Sequence, residues 1–372
     1  MRMLALVAAV VACAAIVFAV KPRQAPRPLV RAAAPPIDAM PSPAPAARSP
    51  IDDKIFTIAA AGDTPVIAVA SAHRVWISRD DGKTFARALD GHGGVDALFV
   101  DPAGRVYVLW LDVKSYTDVG GGHVSADQLT LGIADPDGRE HWRELPGGVL
   151  PPMDARDGWL ASAGAHDTTR EMSGLEIGSD AGDSWRGVRS AQKWAVLAVG
   201  MGEHHAARFL ASRTRIDEEG VGHGLYELAA SDDRVATVWS TMQGVELVTD
   251  EFPRNVMPCA GFAGSSLYLV HRGRLIAVDH AGKERERELG SDVVGTDVHC
   301  AIAGNDRAAY LNIGTKLIRI DSDDLRIADD PHGDFDAIAV DAHGFLLYLA
   351  GGCVHRYDGS ATRPHELVCG PP

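Results

Sequence analysis

Ser78-Arg79-Asp80-Asp81-Gly82-Lys83-Thr84-Phe85 is a short polar turn between two strand-like runs, in the order Ser-x-Asp-x-Gly-x-Thr-aromatic. A second copy reads Gly178-Ser179-Asp180-Ala181-Gly182-Asp183-Ser184-Trp185. A tight hairpin leaves backbone N–H groups without partners, and a short Asp carboxylate accepts several of them. Glycine supplies the positive φ of such a turn, and a Thr or Ser hydroxyl adds a local bond. The aromatic residue then tucks between sheets. Ser78, Asp80, Gly82, Thr84, Phe85, Asp180, Gly182, Ser184 and Trp185 are therefore read as clasps that hold hairpins, not as a reactive cluster.

Outward from these turns, the chain from Ile51 onward alternates short runs of Val, Ile, Leu, Tyr and Trp with Gly, Asp and Pro. That pattern indicates many short antiparallel strands. It also repeats. Cys259-Ala260, Ala263-Gly264, Leu267-Tyr268-Leu269 and Leu275-Ile276-Ala277-Val278-Asp279 match Cys300-Ala301, Ala303-Gly304, Ala309-Tyr310-Leu311 and Leu317-Ile318-Arg319-Ile320-Asp321. Val100-Asp101-Pro102-Ala103-Gly104 likewise matches Val340-Asp341-Ala342-His343-Gly344. Outer-hairpin turns are expected near Asp81-Gly82, Asp137-Gly138, Ala181-Gly182, Asp232-Asp233, Ala281-Gly282, Ser322-Asp323 and Asp358-Gly359. Units of about 45 residues with several strands each are the blades of a β-propeller. The expectation is one all-β propeller over residues 51–372, with seven blades of four antiparallel strands, six or eight being the alternatives.

The two turns resemble the Asp-box, or BNR repeat, of sialidase-like propellers. That resemblance implies a propeller whose Asp-boxes lie on the edge away from the active site. Blade two carries a degenerate copy in Asp135, Gly138 and Trp142, and later blades lack one. The sialidase catalytic set is not matched: the early Arg-Ile-Pro motif is absent, Arg254 follows Phe252-Pro253 in the wrong order, and Tyr226 and Tyr268 have no diagnostic context. The resemblance carries no catalytic residue onto this chain.

The repeat also places the cysteines. Cys259 and Cys300 hold equivalent positions in adjacent blades, and Cys353 and Cys369 flank the last hairpin. Disulfides Cys259–Cys300 and Cys353–Cys369 are expected, the second pinning the C-terminal edge near the closing run Ile55-Phe56-Thr57-Ile58-Ala59. No C-x-x-C spacing occurs, so zinc is not expected, and no motif in the sequence calls for another metal or a cofactor.

The 372 residues include 36 basic and 50 acidic ones. Arg2, Lys21, Arg23, Arg27, Arg31, Arg48 and the lone acid Asp38 precede residue 51, which leaves the remainder at a net charge of −19. An acidic domain is no nucleic-acid surface and favours cationic partners. Met3–Val20 is a continuous apolar run, read as a signal peptide or an N-terminal membrane anchor over residues 1–20. Residues 21–50, with nine prolines and eight alanines, form a Pro/Ala-rich linker. The chain is expected to be exported (periplasmic, cell-surface or secreted), tethered through residues 3–20 if the run is kept, and monomeric.

Three long polar loops are expected to join second to third strands in blades two to four, on the face opposite the clasp turns. The candidate binding residues on them are Tyr116, Asp118 and His123; His166, Asp167, Arg170 and Glu171; and Arg213, Arg215, Asp217, Glu218 and His223. Loops on rigid β scaffolds carry function. The reading is a non-catalytic propeller that binds a protein or glycan there. A divergent sialidase-type glycoside hydrolase and an assembly-factor-like propeller for membrane complexes are the alternatives. Glu203-His204-His205 and Gly120-Gly121-Gly122 match no ligand set or phosphate loop. Lys283–Glu288 alternates charge with period two, as on an exposed outer strand.

Overall fold

A computed structural model describes residues 51–91, 93–117, 123–146, 149–164, 174–188, 194–217, 220–231, 234–241, 259–271, 273–289, 300–313, 316–320, 327–330, 335–358 and 364–371. The signal or anchor segment and the Pro/Ala-rich linker lie outside them. Seven four-stranded antiparallel sheets follow one another as blades, spanning 57–90, 94–144, 149–187, 195–241, 259–288, 300–330 and 337–369. In every sheet the strands pair in sequence order, so the chain forms a seven-bladed propeller. The expected outer turns at Asp81-Gly82, Asp137-Gly138, Ala181-Gly182 and Ala281-Gly282 fall between a blade's third and fourth strands, while Asp232-Asp233, Ser322-Asp323 and Gly359 lie outside the described residues. Within the described residues no helix is long and apolar enough to cross a membrane.

The alternation of side chains along each strand explains the ring. Ala68, Ala70, Val75 and Ile77 of blade one face blade two, where they meet Val106, Val108 and Trp110. Their neighbours Ile67, Val69 and Trp76 face blade seven, where they meet Leu347, Leu349 and Val354. The same division gives one buried cluster between each pair of neighbouring blades. With both faces covered, a strand reads as an unbroken apolar run such as Ile67-Ala68-Val69-Ala70. The first strands of neighbouring blades touch around the centre.

Polar clasps join the blades as well. Arg79 of blade one donates to the Gly104 and Asp135 carbonyls of blade two at 3.0 and 2.6 Å. Arg143 pairs with Asp183 between blades two and three. Asp154 of blade three accepts from the Met201 N–H of blade four at 2.6 Å. Arg208 binds the fully buried Glu227 and donates to the Ser265 carbonyl of blade five. The Ser265 N–H donates to Asp306 of blade six, and Asn305 to the Asp341 carbonyl of blade seven.

Closure between blades seven and one differs from a simple strand pairing. Ile55–Ala59 does lie at the junction, but Thr57–Ala60 pairs within blade one and meets Ala337–Val340 of blade seven by packing. Ile51, Ile55 and Ile58 are buried against Ala339, Val354 and Val368. Arg356 then bridges to Asp81 at 2.5 Å and approaches Asp341 at 2.9 Å as an ion pair without hydrogen-bond alignment. Both disulfides are present. Cys353–Cys369 joins directly paired residues of the last hairpin, and Cys259–Cys300 ties the first strands of blades five and six. Each stabilises by about 2–4 kcal/mol.

The turn at Ser78–Phe85 has the expected chemistry. Asp80 accepts the Thr84 hydroxyl at 2.7 Å and the Thr84 N–H at 2.9 Å, and the Ser78 hydroxyl donates to Asp80 while accepting the Gly82 N–H. The Thr84 hydroxyl, then its N–H, hold the Asp80 carboxyl down at about 2. Asp81 and Gly82 both have positive φ, and Phe85 is buried. The second copy is built differently. Gly178 stands where Ser78 does, so Ser179 supplies the hydroxyl, bonding to both Asp180 and Ser184. Trp185 donates to the Gly182 carbonyl at 3.0 Å.

Removing one partner of a buried ion pair strands the other. Arg356→Met leaves the buried Asp341 uncompensated at the ring junction and is expected to lower unfolding free energy by about 3–5 kcal/mol. Arg307→Met, which removes an exposed bond to the Ala342 carbonyl, is expected to cost about 1 kcal/mol or less. Urea midpoints of the two variants make the comparison, and equal losses would deny the junction its special weight.

Candidate functional site

Of the three expected loops, those of blades two and four lie where second strands turn into third strands, the end opposite the clasp turns, and the blade-three loop, 166–173, lies outside the described residues. Two of them are not loops along most of their length. In blade two, Val106–Thr117 and His123–Ala134 pair without interruption to Thr117 opposite His123. In blade four, Ala207–Asp217 and Gly220–Ser231 pair to Asp217 opposite Gly220. The corresponding strands of blade one pair over only four residues. At about 3.3 Å per residue, each ribbon stands roughly 15–20 Å beyond its first strand, which pairs only as far as Leu111 or Ser212. Alternation of Val, Tyr and Thr with polar residues carries the pairing past the core.

The candidate residues are distributed over these ribbons. Tyr116 sits opposite Val124, and His123 opposite Thr117, in the blade-two ribbon. Arg213, Arg215 and Asp217 lie along one strand of the blade-four ribbon, with His223 opposite Thr214. The Arg213 side chain is exposed. Asp118, His166, Asp167, Arg170, Glu171 and Glu218 lie outside the described residues.

The difference in strand length between blades one and two has a consequence at the foot of the blade-two ribbon. The short blade one covers only part of blade two's face. The rest forms one wall of an open groove of about 790 Å³, the other wall being Arg87, Ala88, Asp90 and Gly93. Trp110, Asp112, Gln128, Thr130, Glu140, Trp142 and Glu144 line the blade-two side. The register puts them on one face: Asp112 opposite Gln128, Trp110 opposite Thr130, Thr130 opposite Glu144, Gly132 opposite Trp142. The residues between them, Leu109, Leu111, Leu129 and Leu131, face blade three.

Trp142 stacks on Trp110 with ring centroids 5.0 Å apart. Trp110 is 1% exposed but Trp142 is 38% exposed, one of two exposed large hydrophobic side chains among the described residues. Gly132 makes the stack possible, since a Cβ there would lie 2.4 Å from Trp110 Cζ3. Trp142, read from sequence as part of a degenerate clasp turn, therefore has another position. Its turn closes without it, through the Asp135 and Gly138 backbones and an Asp135 carboxylate bound by Arg105 and His141. The alternation of polar residues with leucines along blade two was a signal for this face, and Trp142 was its exposed aromatic.

Two other places hold titratable groups. A cleft of about 370 Å³ on the clasp-turn face contains Arg105, Asp135 and His141, which bond to one another. In blade three, Glu176 is 3% exposed, and its Oε1 finds no donor. Burial pushes its carboxyl up to about 7. The first strands carry three charges among the described residues: Asp96, Asp154 and Arg156. A single arginine there contrasts with the arginine cluster that the sialidase resemblance would require. Glu227 is held by Arg208, while Tyr226 lies edge-on to Trp194.

No protein-family model matches this chain, and neither does any curated protein. Solved structures do. PorZ, described as an essential bacterial surface component of the type-IX secretion system of Porphyromonas gingivalis, is 9% identical with a TM-score of 0.52, over 86% of this chain and 39% of that one. The chain thus spans about two-fifths of the PorZ chain's length. A structure of YCF48 bound to D1 peptide is 14% identical with a TM-score of 0.46, over 84% of this chain and 93% of that one. The tricorn protease is 12% identical with a TM-score of 0.41, over 85% and 31% respectively. The likeness to PorZ is one of fold.

Because Glu176 holds its proton more tightly folded than unfolded, the folded state binds more protons between pH 4.5 and 7. Stability should fall as pH rises through that window and level off above it. Glu176→Gln is expected to remove this decline and to stabilise the chain at pH 8 by about 1–3 kcal/mol. Denaturant midpoints across the pH range check it.

Proposed function

We propose that this chain is a binding propeller without catalysis of its own, which takes an extended segment of a partner protein in the groove between blades one and two. The observation that carries the reading is the exposed Trp142, fixed face-on by Trp110 in an open groove. A rigid, partly exposed indole offers large contact area at little entropic cost, which is the character of a binding anchor. The ribbons of blades two and four, with Tyr116, Asp118, His123, Arg213, Arg215, Asp217, Glu218 and His223, extend the same face. The blade-three residues His166, Asp167, Arg170 and Glu171 belong to that surface in this reading.

An indole face also stacks on a sugar ring, so a glycan is the second reading. The clasp turns are assigned to the Asp-box type on the strength of the Asp80 hydrogen bonds, with the sialidase catalytic set absent. A role as an assembly factor is the form this binding would take if the partner were a subunit of a membrane complex. Two disulfides support an oxidising, extracytoplasmic setting, with residues 3–20 as export signal or tether, residues 21–50 as spacer and the propeller as a monomer.

Selection of the full chain against a random dodecapeptide display library is expected to enrich peptides whose affinity falls about tenfold or more in Trp142→Ala. A fluorogenic sialoside is expected to remain uncleaved. Enriched peptides indifferent to Trp142, or sialoside turnover, would overturn the reading.

A further inference from the structure

We infer that the groove is specific for a cation: the guanidinium or ammonium of an Arg- or Lys-bearing extended segment, set over Trp142 and neutralised by Asp112, Glu140 and Glu144. This rests on the groove being the binding site and adds what it selects.

The first ground is which charges are already committed. Arg87 holds both Asp90 carboxylate oxygens, through Nη2 and through Nε, which donates at 2.7 Å, and Arg143 is paired with Asp183. Asp112, Glu140 and Glu144 have no ion-pair partner among the described residues. The open charge of the groove is therefore negative on three carboxylates, all on the blade-two face that carries Trp142. An anionic ligand would be repelled there, and a neutral one would leave the carboxylates as they are. Only a cation gains from them.

The second ground is aromatic. The face of an indole is electron-rich and attracts a cation within about 6 Å of the ring. Arg208 over the Phe262 ring, at 4.9 Å, is an example of such a contact elsewhere in this chain. The third is a donor. Trp110 lines the groove, is 1% exposed, and its Nε1–H finds no acceptor. Gly91 packs its backbone against that edge, where a Cβ would lie 2.1 Å from Nε1. A buried donor without an acceptor is costly, and the backbone carbonyl of a polypeptide supplies an acceptor as its cationic side chain supplies the charge. A free amine would satisfy only the carboxylates.

Fluorescence anisotropy of the full chain with a labelled decapeptide of alternating Ala and Arg tests the inference, with alternating Ala and citrulline as the uncharged isostere. The Arg peptide is expected to bind at least about tenfold more tightly and to weaken with salt. Asp112→Asn/Glu140→Gln/Glu144→Gln is expected to remove that preference. Trp142→Ala should weaken both peptides, and Trp142→Phe should recover part of the loss. Asp63→Asn/Glu288→Gln/Glu366→Gln removes as much charge from exposed positions elsewhere. If that variant loses the preference equally, the attraction belongs to net charge and the inference falls. Equal binding of both peptides, still dependent on Trp142, would overturn cation selection while leaving the groove as the site. Binding of both peptides that ignores Trp142 would overturn the two together.

Discussion

Everything in this structure depends on blade-to-blade contact. A four-stranded sheet of five-residue strands cannot bury enough surface alone. Each blade instead buries both faces, one against the blade before it and one against the blade after. The demand propagates around the ring, because a blade without a neighbour would expose half its apolar residues. The junction of blades seven and one is therefore the critical contact. It is made by side-chain packing and the Arg356–Asp81 bridge instead of a shared strand. The last-hairpin disulfide stiffens the same blade.

Against that uniform constraint, blade two is an exception with consequences. Its second and third strands outrun those of blade one, so part of its face has no neighbour. A surface that would otherwise be core becomes a groove wall. Its composition changes accordingly, from Val106, Val108 and Trp110 packed against blade one to Asp112, Gln128 and Thr130 beyond it. Gly132 and Gly91 mark the two places where another residue would collide with Trp110. The site is thus a by-product of unequal strand length, held rigid by the packing that makes the ring.

The clasp turns act on the other face. Asp80 gathers three local bonds, and Asp81 beside it takes up Arg356 from the last blade. One turn therefore closes its own hairpin and the ring together. The Ser179–Trp185 turn reaches a similar shape by a hydroxyl pair, which shows that the hairpin geometry is the constraint and the bonding pattern is adjustable.

Much of the fold was legible without coordinates. Strand alternation, the position of Gly and Asp at turns, and the period near 45 residues determine seven hairpins and the pairing of all four propeller cysteines, because these follow from local periodicity and repeat equivalence. The ribbons were visible only as long polar stretches, since nothing local distinguishes a paired ribbon from a loop of the same composition. Trp142 was misplaced for a related reason: its spacing from Asp135 suggested a turn aromatic, yet its surroundings are set by how far blade one reaches across blade two. That reach is a difference between the lengths of two separate hairpins. It has no signature in either one, so only the tertiary structure decides which face is covered and which is left open.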